Sequence, residues 1–121
     1  MITLELPWPP SVNHYYRHVG PRVLISKEGR LYRDAIATRI KQSGIKKFEG
    51  DVELKLQLYP PDNRRRDVDN VLKCVLDTLT IGGLYEDDSQ VKYLSVVKFE
   101  PMPPDGMAVL QVGDYEKDHS L

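Results

Sequence analysis

The stretch DVELKLQLYPPDNRRRDVDNVLKCVLDTLTIGGL, residues 51–84, decides the architecture. Val52, Leu54, Leu56 and Leu58 alternate with polar residues, the period of a half-buried strand. Pro60 and Pro61 stop it, because proline brings no N–H to a ladder. From about Asp69 the period changes. Leu72, Val75, Leu76 and Leu79 fall at i, i+3, i+4 and i+7, one stripe of an amphipathic helix, and Gly82 and Gly83 close it. A strand, an arginine-rich connection and a helix therefore follow one another directly.

Elements can be read outward from this centre. Ile2 to Leu6 alternates as a first strand and ends at Pro7-Trp8-Pro9-Pro10. Residues 11–22 read as a loop of aromatic and basic groups, and Val23 to Ile25 as a short strand. Ser26 is a helix N-cap, although Gly29 stands where a capping box has glutamate. Leu31, Ala35, Ile36 and Ile40 give helical spacing up to Gly44. Beyond the acidic turn Leu84–Asp88, Val91 to Phe99 reads as a strand with Val91, Tyr93, Ser95, Val97 and Phe99 on one face. A turn at 101–106 leads to a last strand, Met107 to Val112, and residues 114–121 read as a flexible tail. The order β-α-β-α-β-β predicts an α/β protein of the α+β kind: one domain over 1–121, with a mixed sheet of about four strands and two helices.

The chain has 121 residues, enough for one core. No apolar run approaches the roughly 20 residues of a membrane helix. Its first residues lack the basic and apolar regions of a signal peptide. Cys74 is the only cysteine, which excludes an intrachain disulfide, makes a zinc site unfavourable and points to a reducing cytoplasm. The net charge is -1, yet residues 1–66 hold 13 Lys and Arg against 7 Asp and Glu, and residues 67–121 hold 4 against 11. The halves, +6 and -7, meet at Arg64-Arg65-Arg66-Asp67-Val68-Asp69-Asn70. Such a division fits a basic surface beside an acidic metal pocket.

That junction carries the chemistry. In an extended segment Asp67 and Asp69 would point the same way around Val68. Taken alone, Asp69 reads as a helix N-cap; the N-cap reading leaves Asp67 and three arginines unexplained. Lys73, one turn beyond Asp69, reads either as its i+4 ion-pair partner or as a cation beside a phosphate. Asp77 continues this row as a surface charge. Asp87 and Asp88 read either as a solvated turn or as further ligands. Joined to Asp67 and Asp69, they make the hard oxygen set that magnesium prefers, and such a metal activates water and polarises phosphate. Arg64, Arg65 and Arg66 carry guanidinium forks matched to phosphate. Tyr15, Tyr16 and Arg17 could stack on or contact exposed bases, with Tyr16 packed in the core and Tyr15 at the surface as the alternative. Trp8, between prolines, reads as a core plug.

Three blocks, in order, resemble the RusA family of Holliday-junction resolvases, endodeoxyribonucleases of bacteria and prophages. They are Leu6–His18, then Arg64–Asn70 with Lys73 and Asp77, then Asp87-Asp88-Ser89-Gln90-Val91. The resemblance implies a magnesium-dependent homodimer that binds four-way DNA junctions and cuts two strands symmetrically, in recombination and repair. It implies catalytic and metal-binding roles for Asp67, Asp69 and Asp88, and a catalytic role for Lys73. Arg66 and Asn70 fall on positions tied to DNA binding or active-site support. The slightly acidic chain departs from the basic character expected of a resolvase. The alternatives are a magnesium-dependent nuclease on other branched DNA and a catalytically inactive DNA-binding module.

Overall fold

The computed structural model describes residues 1–116. Four strands form a mixed sheet in the order β1-β6-β4-β5: β1 (Ile2–Leu6), β4 (Val52–Tyr59), β5 (Val91–Lys98) and β6 (Met107–Asp114). β6 runs antiparallel to both neighbours, and β4 pairs in parallel with β5. One face carries two long helices, α2 (Lys27–Ser43) and α3 (Val68–Ile81). The sheet, the two long helices and the single domain plan agree with the predicted α+β class.

The alternation at 52–58 does what its period requires. Val52, Leu54, Leu56 and Leu58 are all buried, and the matching set on β6 is Ala108, Leu110 and Val112. Against them lie Val75 and Leu79 of α3 and Ile36 and Ile40 of α2. The Ser26 hydroxyl caps α2 by accepting from the Gly29 N–H at 2.9 Å, and Gly44 ends it at φ 74. The glycine at position 29 has a steric cause. A Cβ there would lie 2.4 Å from the Tyr15 carbonyl oxygen and 2.6 Å from Ile25 Cδ1.

Four details differ from the sequence reading. Residues 11–22 are ordered as α1 (Val12–Tyr15) followed by β2 (Tyr16–Val19), which pairs with β3 (Arg22–Ile25) in a separate two-stranded hairpin. Among the described residues there are thus three α-helices, one of them a single turn. On α2 it is Tyr32 that is buried, while Leu31 is 59% exposed; the tyrosine hydroxyl donates to the Pro7 carbonyl at 2.8 Å. On β5 a register shift sets Val91 opposite Val52 and Tyr93 opposite Glu53. Val91 therefore leaves the face shared by Tyr93, Ser95 and Val97, and packs against the core with Val96. At the end of the chain β6 continues to Asp114, and the Tyr115 N–H donates to the Asp51 carbonyl at 2.9 Å. Of the expected tail, residues 117–121 lie outside the described residues.

The topology gives the molecule two ends. At one, the end of β1 leads to Trp8–His14 and the end of β4 leads to Arg64–Asp67. At the other lies the start of β5, preceded by a 3₁₀ turn at Asp88–Gln90. Helix α3 runs from the first end to the second.

Candidate active site

The arginine-rich connection is held in place by its own acid. The Arg64 N–H donates to Asp62 Oδ1 at 2.9 Å, and Arg66 Nη1 donates to the same oxygen at 2.7 Å. The Arg66 hydrogen bond, then the Arg64 N–H, hold the Asp62 carboxyl below the usual aspartate range. The Arg66 guanidinium also lies over the Trp8 ring, 5.8 Å from its centre. Trp8 is thus both a partial core plug, as its proline setting suggests, and a platform for this arginine. From the other side Lys98 Nζ donates to the Arg66 carbonyl at 3.4 Å. The turn before β6 presses close as well: the Met102 N–H donates to the Pro60 carbonyl at 2.7 Å. Between this connection and Trp8–His14 opens a groove of about 740 Å³, with Asp67 and Asn70 in its wall. Arg64 and Arg65 are exposed at its rim, whereas Arg66 is committed to Asp62 and Trp8.

Asp67, and not Asp69, is the N-cap of α3; its backbone is extended, and its side chain makes no capping hydrogen bond. Asp69 lies in the first helical turn. The two acids are therefore not on one extended segment, but both lie where the helix dipole favours negative charge. Both are exposed, and the carboxylate of neither is engaged in a hydrogen bond among the described residues. One turn on, Lys73 is exposed and its Nζ lies 5.4 Å from the centre of the Tyr16 ring.

Tyr15 reverses its expected place. It is fully buried, so it has no face to offer a base, and it is Tyr16 that remains partly exposed. The Tyr15 hydroxyl donates to Asp77 Oδ2 at 2.6 Å and shares a 3.0 Å hydrogen bond with Thr78 Oγ1. Arg33 closes the set, with Nε donating to the Tyr15 hydroxyl at 2.8 Å and Nη2 to Asp77 at 2.7 Å. Burial first, and then Asp77, push the Tyr15 hydroxyl up to about 12. Asp77 is therefore the anchor of a partly buried network rather than a surface charge. Tyr15 meets Tyr16 edge to face at 4.7 Å, so the network backs the ring under Lys73. Arg33 and Asp62 had no sequence signal of their own: Arg33 needs a contact 44 residues away, and Asp62 hides beside three arginines. Arg17 is exposed on β2, and His14 at the groove has its Nδ1 3.1 Å from Ser11 Oγ.

Asp88 lies at the far end. The turn that holds it is fixed by Gln90, whose Oε1 accepts from the Glu86 and Asp87 N–H groups at 2.8 and 3.0 Å. Gln90 Nε2 donates to the Phe48 and Gly50 carbonyls at 3.0 and 2.7 Å. Glu86 pairs with Lys47, Asp87 accepts from Ser89, and Asp88 is exposed and unpaired among the described residues. Helix α3, of 14 residues, sets this turn about 20 Å from Asp67. Asp67, Asp69 and Asp88 have the hard oxygen donors a divalent cation takes, but one chain does not gather them. Among the described residues no three His, Cys, Asp or Glu side chains are grouped closely enough to hold a metal ion.

Comparison with known proteins adds to this geometry. The family model Endodeoxyribonuclease RusA matches residues 7–105. The Crossover junction endodeoxyribonuclease RusA of Escherichia coli K12 is 43% identical over 97 residues, 79% of this chain and 81% of that protein. Its namesake in Enterobacteria phage 82 is 46% identical over 96 residues, 78% and 80% of the two chains. That of Escherichia coli O139:H28 is 38% identical over 116 residues, 93% and 96%. Fold and matches define a class, the endonucleases that cut within a DNA strand. The chain belongs to the RusA family of endodeoxyribonucleases. Membership points to a divalent metal cofactor and a DNA junction substrate. No helix among the described residues is long and apolar enough to cross a membrane.

Proposed function

We propose that this chain is a magnesium-dependent, structure-selective endodeoxyribonuclease that resolves four-way DNA junctions by paired, symmetric incision, in recombination and repair. It acts in the cytoplasm as a homodimer, because a junction has two-fold symmetry and paired cuts need two matched sites. The observation that carries this reading, within the family, is the groove. It sets exposed Arg64 and Arg65 beside Asp67 and Asn70, with Asp69 next to them on α3. Phosphate-matching forks and uncommitted carboxylates then meet the same stretch of DNA backbone.

The roles divide as follows. Arg64 and Arg65 clamp phosphates, and Arg17 on the hairpin extends the contact. Arg66 shapes the loop through Asp62 and Trp8. Asn70 faces the groove one helical turn from Asp67 and contacts the same strand. Asp67, Asp69 and Asp88 are the catalytic acids. Lys73 offers its ammonium to the charge that develops on the scissile phosphate. Its seat over Tyr16 restricts the directions in which that ammonium can point.

The test is cleavage of a synthetic four-way junction with magnesium and with chelator, beside a flap and a linear duplex. Paired nicks in the junction alone, abolished in Asp67→Asn and Asp88→Asn with binding retained, are expected. Equal cutting of all three substrates, or full cutting by either variant, refutes the reading.

A further inference from the structure

Lys73 stands on α3 between two acids, Asp69 one turn before it and Asp77 one turn after. Either spacing can bring a lysine and a carboxylate together on a helix face. Yet among the described residues Lys73 forms an ion pair with neither. Its Nζ rests over the Tyr16 ring instead, 5.4 Å from the centre. Pairing with Asp77 would draw the ammonium along the helix, away from Asp69 and the groove.

Arg33 answers that acid. Its Nη2 donates to Asp77 Oδ2 at 2.7 Å and its Nε to the Tyr15 hydroxyl at 2.8 Å. The hydroxyl donates to the same Asp77 oxygen at 2.6 Å, and the Tyr15 ring lies 5.5 Å from the guanidinium carbon. The guanidinium is thus fixed by two hydrogen bonds and a ring. The Asp77 side chain is still 33% exposed, so burial alone does not shield it from a lysine one turn away. Its charge is felt at the lysine's seat: burial first, and then Asp77, push the Tyr16 hydroxyl up, while Arg33 acts the other way.

We propose that Arg33 is a positioning residue for Lys73: by neutralising Asp77 it leaves the ammonium on Tyr16, one turn from Asp69, rather than ion-paired further along α3. The proposal rests on the function above only for what Lys73 does to a phosphate. Its core is a matter of charge and not of shape. Losing Arg33 harms cleavage only while Asp77 keeps its negative charge.

Charge-changing variants test this directly. Arg33→Gln keeps a hydrogen-bond donor and removes the charge. Asp77→Asn keeps an acceptor and removes the opposite charge. Both singles and the double variant are assayed on a four-way junction with magnesium, at a temperature where urea unfolding shows each to be folded. In Arg33→Gln kcat is expected to fall about tenfold, part of what a lost transition-state contact costs, with KM little changed. Asp77→Asn breaks the same pair but leaves no carboxylate to capture Lys73, so it is expected to lose less. Added to Arg33→Gln, it should recover the lost rate. Arg33→Lys, which keeps the charge, should retain most of it. A pair that only ties the helices together predicts equal losses from the two single variants and no recovery.

A second readout needs neither DNA nor metal. With its Nζ over an aromatic ring, Lys73 has ε-methylene protons shifted upfield in an NMR spectrum, and Tyr16→Leu identifies that shift by removing it. The shift is expected to vanish in Arg33→Gln and to return in the double variant. Equal losses without recovery, or an upfield shift that survives in Arg33→Gln, overturn the proposal. The expected shifts in a protein that cuts no branched DNA leave the placement of Lys73 standing and defeat the proposed function instead.

Discussion

Asp69 and Asp77 sit two turns apart on one face of α3, with Lys73 between them, and end in opposite circumstances. Asp69 at the groove end is exposed and uncommitted. Asp77 in the middle of the helix is engaged by Arg33 and the Tyr15 hydroxyl, at 2.7 and 2.6 Å, both on its Oδ2. The same residue type, in the same periodic row, is available for chemistry in one region and is a tie between α1, α2 and α3 in the other. What separates them is the neighbour each one meets. The Asp77 level faces α1 and α2, whereas the groove end has only the thin Trp8–His14 segment opposite it. Residues held on stability grounds and those free to act on a substrate therefore alternate along one helix.

Substitutions at the two positions should separate activity from stability. The largest effect is expected for Asp69→Asn: junction cleavage falls by about 100-fold or more, the scale of a lost transition-state contact, with stability lowered by no more than the lost helix-dipole contribution of about 0.3–1 kcal/mol. Wild-type cleavage by this variant removes Asp69 from the chemistry. Next comes Asp77→Ala, which strands the Arg33 guanidinium. With side chains 23% and 33% exposed, the loss falls below that of a fully buried pair, about 2–3 kcal/mol by urea unfolding. If Asp77→Ala is as stable as the wild type, the network holds nothing together. Tyr15→Phe keeps the ring and removes the hydroxyl, so a smaller cost of about 1–2 kcal/mol is expected. It should also lower cleavage by less than Asp69→Asn does, because the ring behind Tyr16 stays and only the hydrogen bonds that fix it are lost.

The smallest effect is a pH dependence. The Tyr15 hydroxyl is raised from 10.0 to about 12, and that of Tyr85 likewise, chiefly by burial. A folded-state value above the unfolded one means that the native state holds the proton longer. This contribution is complete below pH 10 and is lost as the pH rises from 10 to about 12. Unfolding midpoints measured across that window should fall, and Tyr15→Phe should flatten the fall while leaving neutral pH values parallel.

The elements with strong periods were legible. Strand β4 and helix α3 follow from their spacing, because one face of each is buried against the other. The hairpin was not. Tyr16–Val19 has no alternation to betray a strand, and its pairing with Arg22–Ile25 excludes the main sheet. Nor does the order of Tyr15 and Tyr16 show which is buried, since that depends on Arg33 arriving from α2. In the site, the acids around α3 could be named from their types and spacing. Their arrangement could not be deduced from carboxylate chemistry alone, which drew Asp88 toward Asp67. Strand topology decides otherwise: when two parallel strands are joined by a helix, the loop after the first and the turn before the second lie at opposite ends of the sheet.

The base of the hairpin offers one more consequence. The Ser26 N–H donates to the Tyr15 carbonyl at 2.9 Å, and its hydroxyl donates to the carbonyls of His14 and Tyr15. The ten residues between them leave and re-enter the body through a single knot, and turn at Gly20 with φ 58 and open space around it. The tip can therefore be lengthened, shortened or exchanged for a peptide tag while both helices keep their caps. It is the position from which a fluorophore could report on the arrival of DNA.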